Sequence, residues 1–105
     1  MHLLVEFSVL KKEQKVQLYF VYILYSLKNG RSYTGMTSNL IERMRSHNYL
    51  GEDSTQYHRP WLLLHYEVYF DKVSAMRREK YLKRGRGFYE KRQIIERCLK
   101  ELGIQ

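Results

Sequence analysis

The chain has 105 residues, the size of one domain, and 44% of them are hydrophobic and 29% charged, which excludes a disordered chain. The formal net charge is +8 and the isoelectric point is near 9.7. This balance favours nucleic acid or another anionic surface as the partner.

The cysteine count and the apolar run near the N-terminus exclude further classes of protein. A single cysteine, Cys98, rules out an internal disulfide and a cysteine-rich zinc site. The apolar run from Leu3 to Leu10 is too short to cross a bilayer and lacks the basic start and cleavage site of a signal peptide. We therefore expect a cytoplasmic protein that does not enter a membrane.

The predicted elements begin after an N-terminal extension. Residues 1–18 are expected to be flexible or to pad an edge of the sheet, and residues 19–105 to form one domain. Tyr19 to Ser26 reads as a strand, Asn29-Gly30 as a tight turn, and Arg31 to Gly35 as the paired strand.

This hairpin sets the relation between two tyrosines, Tyr22 and Tyr33. A two-residue turn pairs Tyr33 with Ser26, so both tyrosines face the same side of the sheet. Their backbones would then lie about 13 Å apart along the strand. A wider turn would bring them closer, and the sequence leaves that choice open.

The rest of the chain predicts helices that cover a small sheet. A helix capped by Thr37 or Ser38 is expected to end near Asn48, followed by a loop over 49–59 and a strand over 61–70. A helix over 72–84, capped by Asp71, then precedes a break at 85–87 and a last helix over 88–102. The order ββαβαα predicts an α/β fold with a three-stranded, mostly antiparallel sheet flanked by helices.

The segment from Phe20 to Asn48 holds the side chains that chemistry on a phosphate needs. Among them are the phenols of Tyr22 and Tyr33, the guanidinium of Arg43 and the imidazole of His47, and the last two share one helix face at i, i+4. Taken alone, the tyrosines could be ordinary strand residues, Arg43 a surface cation and His47 a helix cap.

These residues resemble the motifs of the GIY-YIG nucleases. The half-motifs read Phe20-Val21-Tyr22 and Tyr33-Thr34-Gly35, and Arg43 and His47 match the Arg and His of the next helix. The similarity covers roughly residues 19–97 and is closest to the small stand-alone bacterial proteins of the superfamily. It departs at Phe20-Val21, where the name-giving pattern has Gly-Ile, and at Met36, where several members have a lysine.

The resemblance implies a role for each matched residue. Tyr33 would be the general base or would position the water, with Tyr22 as its hydrogen-bonding partner. Arg43 would hold the phosphate, and His47 would contact it or relay a proton. Gly35 would turn the chain towards the helix and leave room for the phosphate.

Glu79 is an acid on an apolar helical stripe within a basic stretch. One interpretation is an ion pair with Lys83 or Arg43. The resemblance implies instead that Glu79 is the single protein ligand of a divalent metal, Mg²⁺ or Mn²⁺, and one carboxylate plus waters suits Mg²⁺.

Positive charge is concentrated between Lys72 and Arg92, where nine Lys or Arg residues stand against two acids. A solvated helix face is one interpretation of this run, and a surface that follows a nucleic-acid backbone is the other. The residues expected to bind substrate are Gly35, Lys80, Lys83, Arg84, Arg86 and Lys91.

The predicted function is a metal-dependent endonuclease acting on nucleic acid, and the resemblance favours DNA. A non-catalytic nucleic-acid-binding module on the same scaffold is the first alternative. The second is an interaction protein whose charge serves solubility or an acidic partner. The sequence leaves the oligomeric state open.

Overall fold

A computed structural model describes residues 16–50 and 54–104 of the chain. The elements, in order, are β1 (Tyr19–Ser26), β2 (Ser32–Thr37), α1 (Leu40–Arg45), a π-helical turn (Ser46–Leu50), a 3₁₀ turn (Ser54–His58), β3 (Trp61–Tyr69), α2 (Lys72–Leu82) and α3 (Gly85–Leu102). The predicted order ββαβαα and the α/β class are confirmed. Most of the predicted extension, residues 1–15, lies outside the described ranges.

The sheet is antiparallel throughout, with strand order β2-β1-β3. β1 is central and its residues from Val21 to Leu24 are buried, because helices and turns cover both faces. On one face Val21 packs with Ala75 and Leu82 of α2. The opposite face carries Tyr22, Leu24 and Trp61, against which α1 packs. Alternation along β1 therefore sends Tyr22 to the α1 side.

The β1–β2 hairpin has a four-residue loop, so the predicted two-residue turn is wrong. The Ser26 amide donates to the Arg31 carbonyl at 2.8 Å, and Gly30 takes a positive φ of 76° inside the loop. The Ser26 hydroxyl accepts hydrogen bonds from the amides of Lys28 and Asn29, both at 3.1 Å. The wider turn pairs Tyr33 with Leu24 rather than with Ser26.

α1 begins later than expected, because β2 continues to Thr37. Its N-cap is Asn39, whose side chain accepts the Glu42 amide at 3.1 Å, and not Thr37 or Ser38. The regular helix ends at Arg45, and the chain continues to Leu50 as the π-helical turn. His47 therefore lies in an irregular turn, where an i, i+4 pattern does not give its direction.

The break between the last two helices also lies earlier than expected. α2 ends at Leu82 and α3 begins at Gly85, so the predicted breaker segment 85–87 forms the first turn of α3. Gly87 is buried there, and a Cβ on it would overlap the Tyr81 carbonyl. The predicted Asp71 cap of α2 is confirmed, with the Ser74 amide donating to its carboxylate at 2.8 Å.

Within the described ranges, none of the helices combines the length and the apolar character needed to cross a membrane.

Candidate active site

Tyr22 and Tyr33 come together on the α1 side of the sheet. Tyr22 pairs with Gly35 and Tyr33 pairs with Leu24, so the two tyrosines are diagonal neighbours on adjacent strands. Their ring centroids are 6.3 Å apart. The predicted shared face is confirmed, and the wider hairpin removes the long separation along the strand.

Beneath the two phenols, His47 is completely buried. Its Nε2 lies 2.9 Å from the Tyr22 hydroxyl, and its Nδ1 lies 3.0 Å from the Thr55 hydroxyl. Its ring also contacts Tyr33 edge-on, with centroids 4.9 Å apart. His47 therefore does not cap a helix, and its burial removes the direct phosphate contact that the resemblance implied.

Arg43 extends this set of contacts towards solvent, because its Nε donates to the Tyr22 hydroxyl at 3.3 Å. A guanidinium can only donate, so the phenol oxygen accepts from Arg43. All the polar atoms are satisfied when the Tyr22 proton points to Nε2 of a neutral His47, whose Nδ1–H points to Thr55. Arg43, Tyr22, His47 and Thr55 form one hydrogen-bonded chain, hereafter the buried polar chain.

The turn that carries His47 is held in place by its neighbours. Asn48 makes two hydrogen bonds with the Trp61 backbone, at 2.7 and 3.1 Å. Arg59 donates to the carbonyls of His47 and Ser46, at 2.5 and 3.2 Å. Thr55 is a contribution that the sequence did not indicate, because it lies in a segment that reads only as a polar loop.

Burial and hydrogen bonding move the pKa values of Tyr22 and Arg43. Burial raises the pKa of Tyr22 to about 12, although the hydrogen bond from Arg43 opposes the shift. Burial alone would lower the pKa of Arg43, but its hydrogen bonds to Tyr22 and Tyr33 leave it above the usual value. At neutral pH the site therefore presents a protonated Tyr22 and a charged Arg43.

Gly35 is required by the packing of the two tyrosines. It lies inside β2 and is buried, and a Cβ on it would overlap the Tyr22 hydroxyl and lie 2.9 Å from Cε1 of Tyr33. The expected reason for this glycine, a turn from strand into helix, is therefore wrong, because the strand runs on for two more residues. The missing Cβ at Gly35 leaves the space that the rings of Tyr22 and Tyr33 occupy beside β2.

Glu79 lies on α2, and its side chain is 23% exposed. Its carboxylate pairs with Lys83 at 3.3 Å, which is one of the two ion pairs considered from the sequence. Lys83 is half exposed, so this pair is weak. Burial is the main cause of the raised pKa of Tyr22, and the charge of Glu79 makes a smaller contribution in the same direction.

The donor set of Glu79 fits a hydrated hard cation. Among residues 16–50 and 54–104, no three His, Cys, Asp or Glu side chains are grouped as a metal site. One partly exposed carboxylate is nevertheless a usual protein contribution to Mg²⁺, which keeps several waters and takes further oxygens from a phosphate. Glu79 can therefore hold such an ion only together with water and substrate.

Arg78, the neighbour of Glu79, fixes α2 to the rest of the fold. Its guanidinium makes two hydrogen bonds to Glu67 of β3, at 2.9 and 3.0 Å, and another to Glu90 of α3 at 2.5 Å. This network was not predicted from the sequence. The spacing of Ala75, Arg78 and Leu82 was its signal, because i, i+3, i+7 puts Arg78 on the buried face of the helix.

The basic segment divides into exposed and buried cations. Lys80, Lys83, Arg84 and Arg86 are exposed, as expected of residues that bind a phosphate backbone. Lys91 differs, since it is 6% exposed and its ammonium lies 5.9 Å from the centre of the Phe88 ring. Burial, together with the charge of Lys83, lowers its pKa. Lys91 is therefore not part of the exposed surface on which it was expected.

The chain belongs to the GIY-YIG family, since residues 18–93 match the GIY-YIG catalytic domain. It is 39% identical over 62 residues to a UPF0213 protein of Staphylococcus haemolyticus (strain JCSC1435), an alignment that covers 58% of this chain and 74% of that protein. No solved structure gives a significant match. The family places this small α/β domain among nucleases and confirms the resemblance seen in the motifs.

Proposed function

We propose that this protein is a cytoplasmic, metal-dependent endonuclease that hydrolyses phosphodiester bonds, with DNA as its substrate. The observation that carries the proposal is the buried polar chain Arg43–Tyr22–His47–Thr55 lying directly beside Tyr33. The GIY-YIG family supports it, because its catalytic domain covers most of this chain.

Folding alone does not explain the buried polar chain. A domain core is stabilised by apolar side chains, whereas burying a hydroxyl or an imidazole costs free energy that hydrogen bonds only offset. Such networks fix the positions of their members, since each atom has one satisfied arrangement. The buried polar chain holds the Arg43 guanidinium at the site, where it can bind a phosphate.

The two phenols then have different tasks. Tyr33 is partly exposed, so its hydroxyl can meet the attacking water. Tyr22 is buried, and its pKa of about 12 makes it a donor that stays protonated rather than a base. Its contacts orient Arg43, while His47 accepts the Tyr22 hydroxyl proton in a hydrogen bond and is itself fixed by its hydrogen bond to Thr55.

Arg43 supplies the fixed positive charge for the reaction. Its planar fork can bind two phosphate oxygens at once, which a lysine cannot do. Negative charge on these oxygens grows as the phosphodiester is attacked, so a guanidinium held in advance stabilises the transition state. Glu79 would hold a divalent cation, Mg²⁺ or Mn²⁺, which when bound stabilises charge on the leaving oxygen.

The test is a cleavage assay with the full-length protein. Labelled single-stranded, duplex and branched DNA are each incubated with Mg²⁺, Mn²⁺ or a chelator. We expect cleavage with either metal and none with the chelator, and a loss of about 10²-fold or more for Arg43→Ala. Arg43→Lys is the matched control for charge alone and should recover little of that loss.

The same assay separates the alternatives. A protein that binds DNA in a salt-dependent way and never cuts it would be a non-catalytic binding module, with Glu79 engaged only by Lys83. A protein without affinity for nucleic acid would be an interaction protein. Either result removes the endonuclease proposal.

A further inference from the structure

A second groove lies next to the candidate active site and is lined by four aromatic or aliphatic side chains and by the polar residues Gln17, Ser38 and Asn39. Its volume is about 560 Å³, which is within the usual range for small-ligand sites. Phe20 of β1 and Tyr66 of β3 form one wall, with ring centroids 6.2 Å apart in an edge-to-face arrangement. Ile41 of α1 forms another wall, and Tyr66 and Ile41 are 52% and 71% exposed.

This aromatic groove lies on the same face of the sheet as the catalytic tyrosines. Tyr66 pairs directly with Tyr22, and Phe20 lies two residues before Tyr22 on β1. Directly paired side chains have Cβ atoms about 5 Å apart. The exposed ring of Tyr66 is therefore the immediate neighbour of the buried ring of Tyr22.

The aromatic groove is also continuous with the surface that holds Arg43. A smaller groove of about 310 Å³ is lined by Thr37, Glu42, Arg43 and Ser46, and it shares Ser38 and Asn39 with the aromatic groove. A phosphate bound by Arg43 would have its neighbouring base at this shared wall. The positive charge and the exposed rings are thus placed as one nucleotide needs them.

We propose that the aromatic groove binds an unpaired nucleobase of the substrate, stacked against Tyr66 beside the phosphate that Arg43 holds. A base within a duplex is covered by its neighbours and cannot offer its face, so the site selects single-stranded or locally opened nucleic acid. A second copy of this chain is disfavoured as the occupant, because both copies carry a formal charge of +8. The proposal rests on the proposed function, and it names the form of the substrate.

The experiment measures binding in chelator, so that cleavage plays no part. Fluorescence anisotropy compares a labelled thymidine oligonucleotide with an abasic oligonucleotide that has the same number of phosphates, at one fixed salt concentration. The wild type should bind the thymidine strand more tightly by at least about fivefold, the scale of one base–aromatic stack. A uridine strand of the same length shows whether the sugar matters.

Substitutions at Tyr66 isolate the ring. Tyr66→Leu keeps an apolar side chain on the strand and removes the aromatic face, so it should abolish the preference for bases and leave abasic binding unchanged. Tyr66→Phe should retain the preference. Tyr89→Leu is the matched control, because Tyr89 is also well exposed but lies on α3, outside the groove.

Several results would overturn the proposal. Equal affinity of the wild type for thymidine and abasic strands would do so, as would an equal loss from Tyr89→Leu. Tighter binding by Tyr66→Leu would mean that another part of the chain occupies the groove, and a change in oligomeric state would indicate a second copy. If the groove test fails but DNA is cleaved, the endonuclease proposal stands and the groove proposal falls. If binding depends on the base but no DNA is cleaved, the groove proposal stands and the endonuclease proposal falls.

Discussion

Tyr22 and Tyr33 are the same residue type in two environments. Tyr22 is 1% exposed and has Arg43 and His47 as hydrogen-bond partners, whereas Tyr33 is partly exposed. Burial keeps the Tyr22 proton in place, and exposure lets the Tyr33 hydroxyl meet water. The two hydroxyl groups should therefore contribute to different measurable properties.

Removing each hydroxyl separately tests this difference. Tyr33→Phe should lower turnover by about 10²-fold or more and leave the free energy of unfolding nearly unchanged. Tyr22→Phe removes a hydrogen bond from the buried His47, so it should also lower the free energy of unfolding by about 1–3 kcal/mol. Urea unfolding beside single-turnover cleavage measures both, with the exposed Tyr57→Phe as control. Similar stability for all three variants would contradict the buried polar chain.

Glu79→Gln separates metal binding from ion pairing. The ion pair with the half-exposed Lys83 contributes little, so the free energy of unfolding should change by less than about 1 kcal/mol. Cleavage should disappear at every Mg²⁺ concentration if the carboxylate holds the metal.

The control for Glu79→Gln is Lys83→Gln, which breaks the same ion pair and keeps the carboxylate. Its substrate affinity should fall, but the Mg²⁺ concentration for half-maximal cleavage should stay the same. A Glu79→Gln protein that still cuts with a normal metal response would rule out the metal role.

At the scale of elements, β2 forms the wall against which the rings of Tyr22 and Tyr33 lie. Gly35 gives the Tyr22 hydroxyl its space, and the four-residue hairpin loop brings Tyr33 level with Leu24. The position of the phenols thus depends on one missing Cβ and on one turn. Both are properties of the backbone rather than of the two tyrosine side chains.

Gly35→Ala should therefore harm stability and activity together. The added Cβ meets Tyr22 and Tyr33 at distances that require movement, and forced repacking of a core costs about 1–3 kcal/mol. Ser32→Ala on the same strand is exposed and should change little. Urea unfolding and cleavage rates check both variants. If Gly35→Ala leaves the free energy of unfolding and the cleavage rate unchanged, the rings of Tyr22 and Tyr33 can shift to accommodate the added Cβ.

The Glu67–Arg78 pair, which joins α2 to β3, makes the stability of the fold depend on pH. Burial alone would raise the pKa of Glu67, but hydrogen bonds from Arg78, His65 and Tyr69 lower it to about 2, from an ordinary 4.5. A lowered pKa means that the stabilisation is complete above about pH 5 and is lost as the pH falls towards 2. The loss is at most about 3 kcal/mol.

A series of urea unfolding curves from pH 7 to pH 3 measures this dependence. Glu67→Gln should flatten the part of the curve below pH 5, because the titrating group is gone. The exposed Glu96→Gln should keep the wild-type slope. Equal slopes for the wild type and Glu67→Gln would mean that other carboxylates dominate acid unfolding.

At the scale of the whole molecule, positive charge is concentrated where α2 meets α3. Four exposed cations lie in this short region, at Lys80, Lys83, Arg84 and Arg86. Nucleic-acid binding through such residues releases counterions and weakens with salt. The fixed charge of Arg43 at the site adds to the same attraction.

Binding to duplex DNA should have a slope of log K against log salt of about −4, if these four cations each neutralise one phosphate. Replacing Lys80 and Arg86 by Gln should reduce the slope by about 2. Lys100→Gln, at the far end of α3, is the control and should not change it. Anisotropy across a salt series measures all three, and a flat response would exclude this surface.

The sequence by itself determined the type and order of the elements and the bounds of some of them. β1 matches its predicted range of Tyr19–Ser26, and Asp71 caps α2 as expected, because hydrophobic alternation and capping chemistry are local properties. The family motifs also lie within local segments. This is why Tyr22, Tyr33 and Arg43 could be named before any geometry was known.

Only the tertiary structure decided how those residues meet. The hairpin register, the burial of His47 against Thr55, the inward position of Lys91 and the Arg78 network each depend on how the turns, strands and helices pack, and not on a pattern within one element. A local pattern gives the face on which a residue lies, but not what covers that face. Contacts across the sheet and between helices settle that second question, since packing is a property of the whole fold.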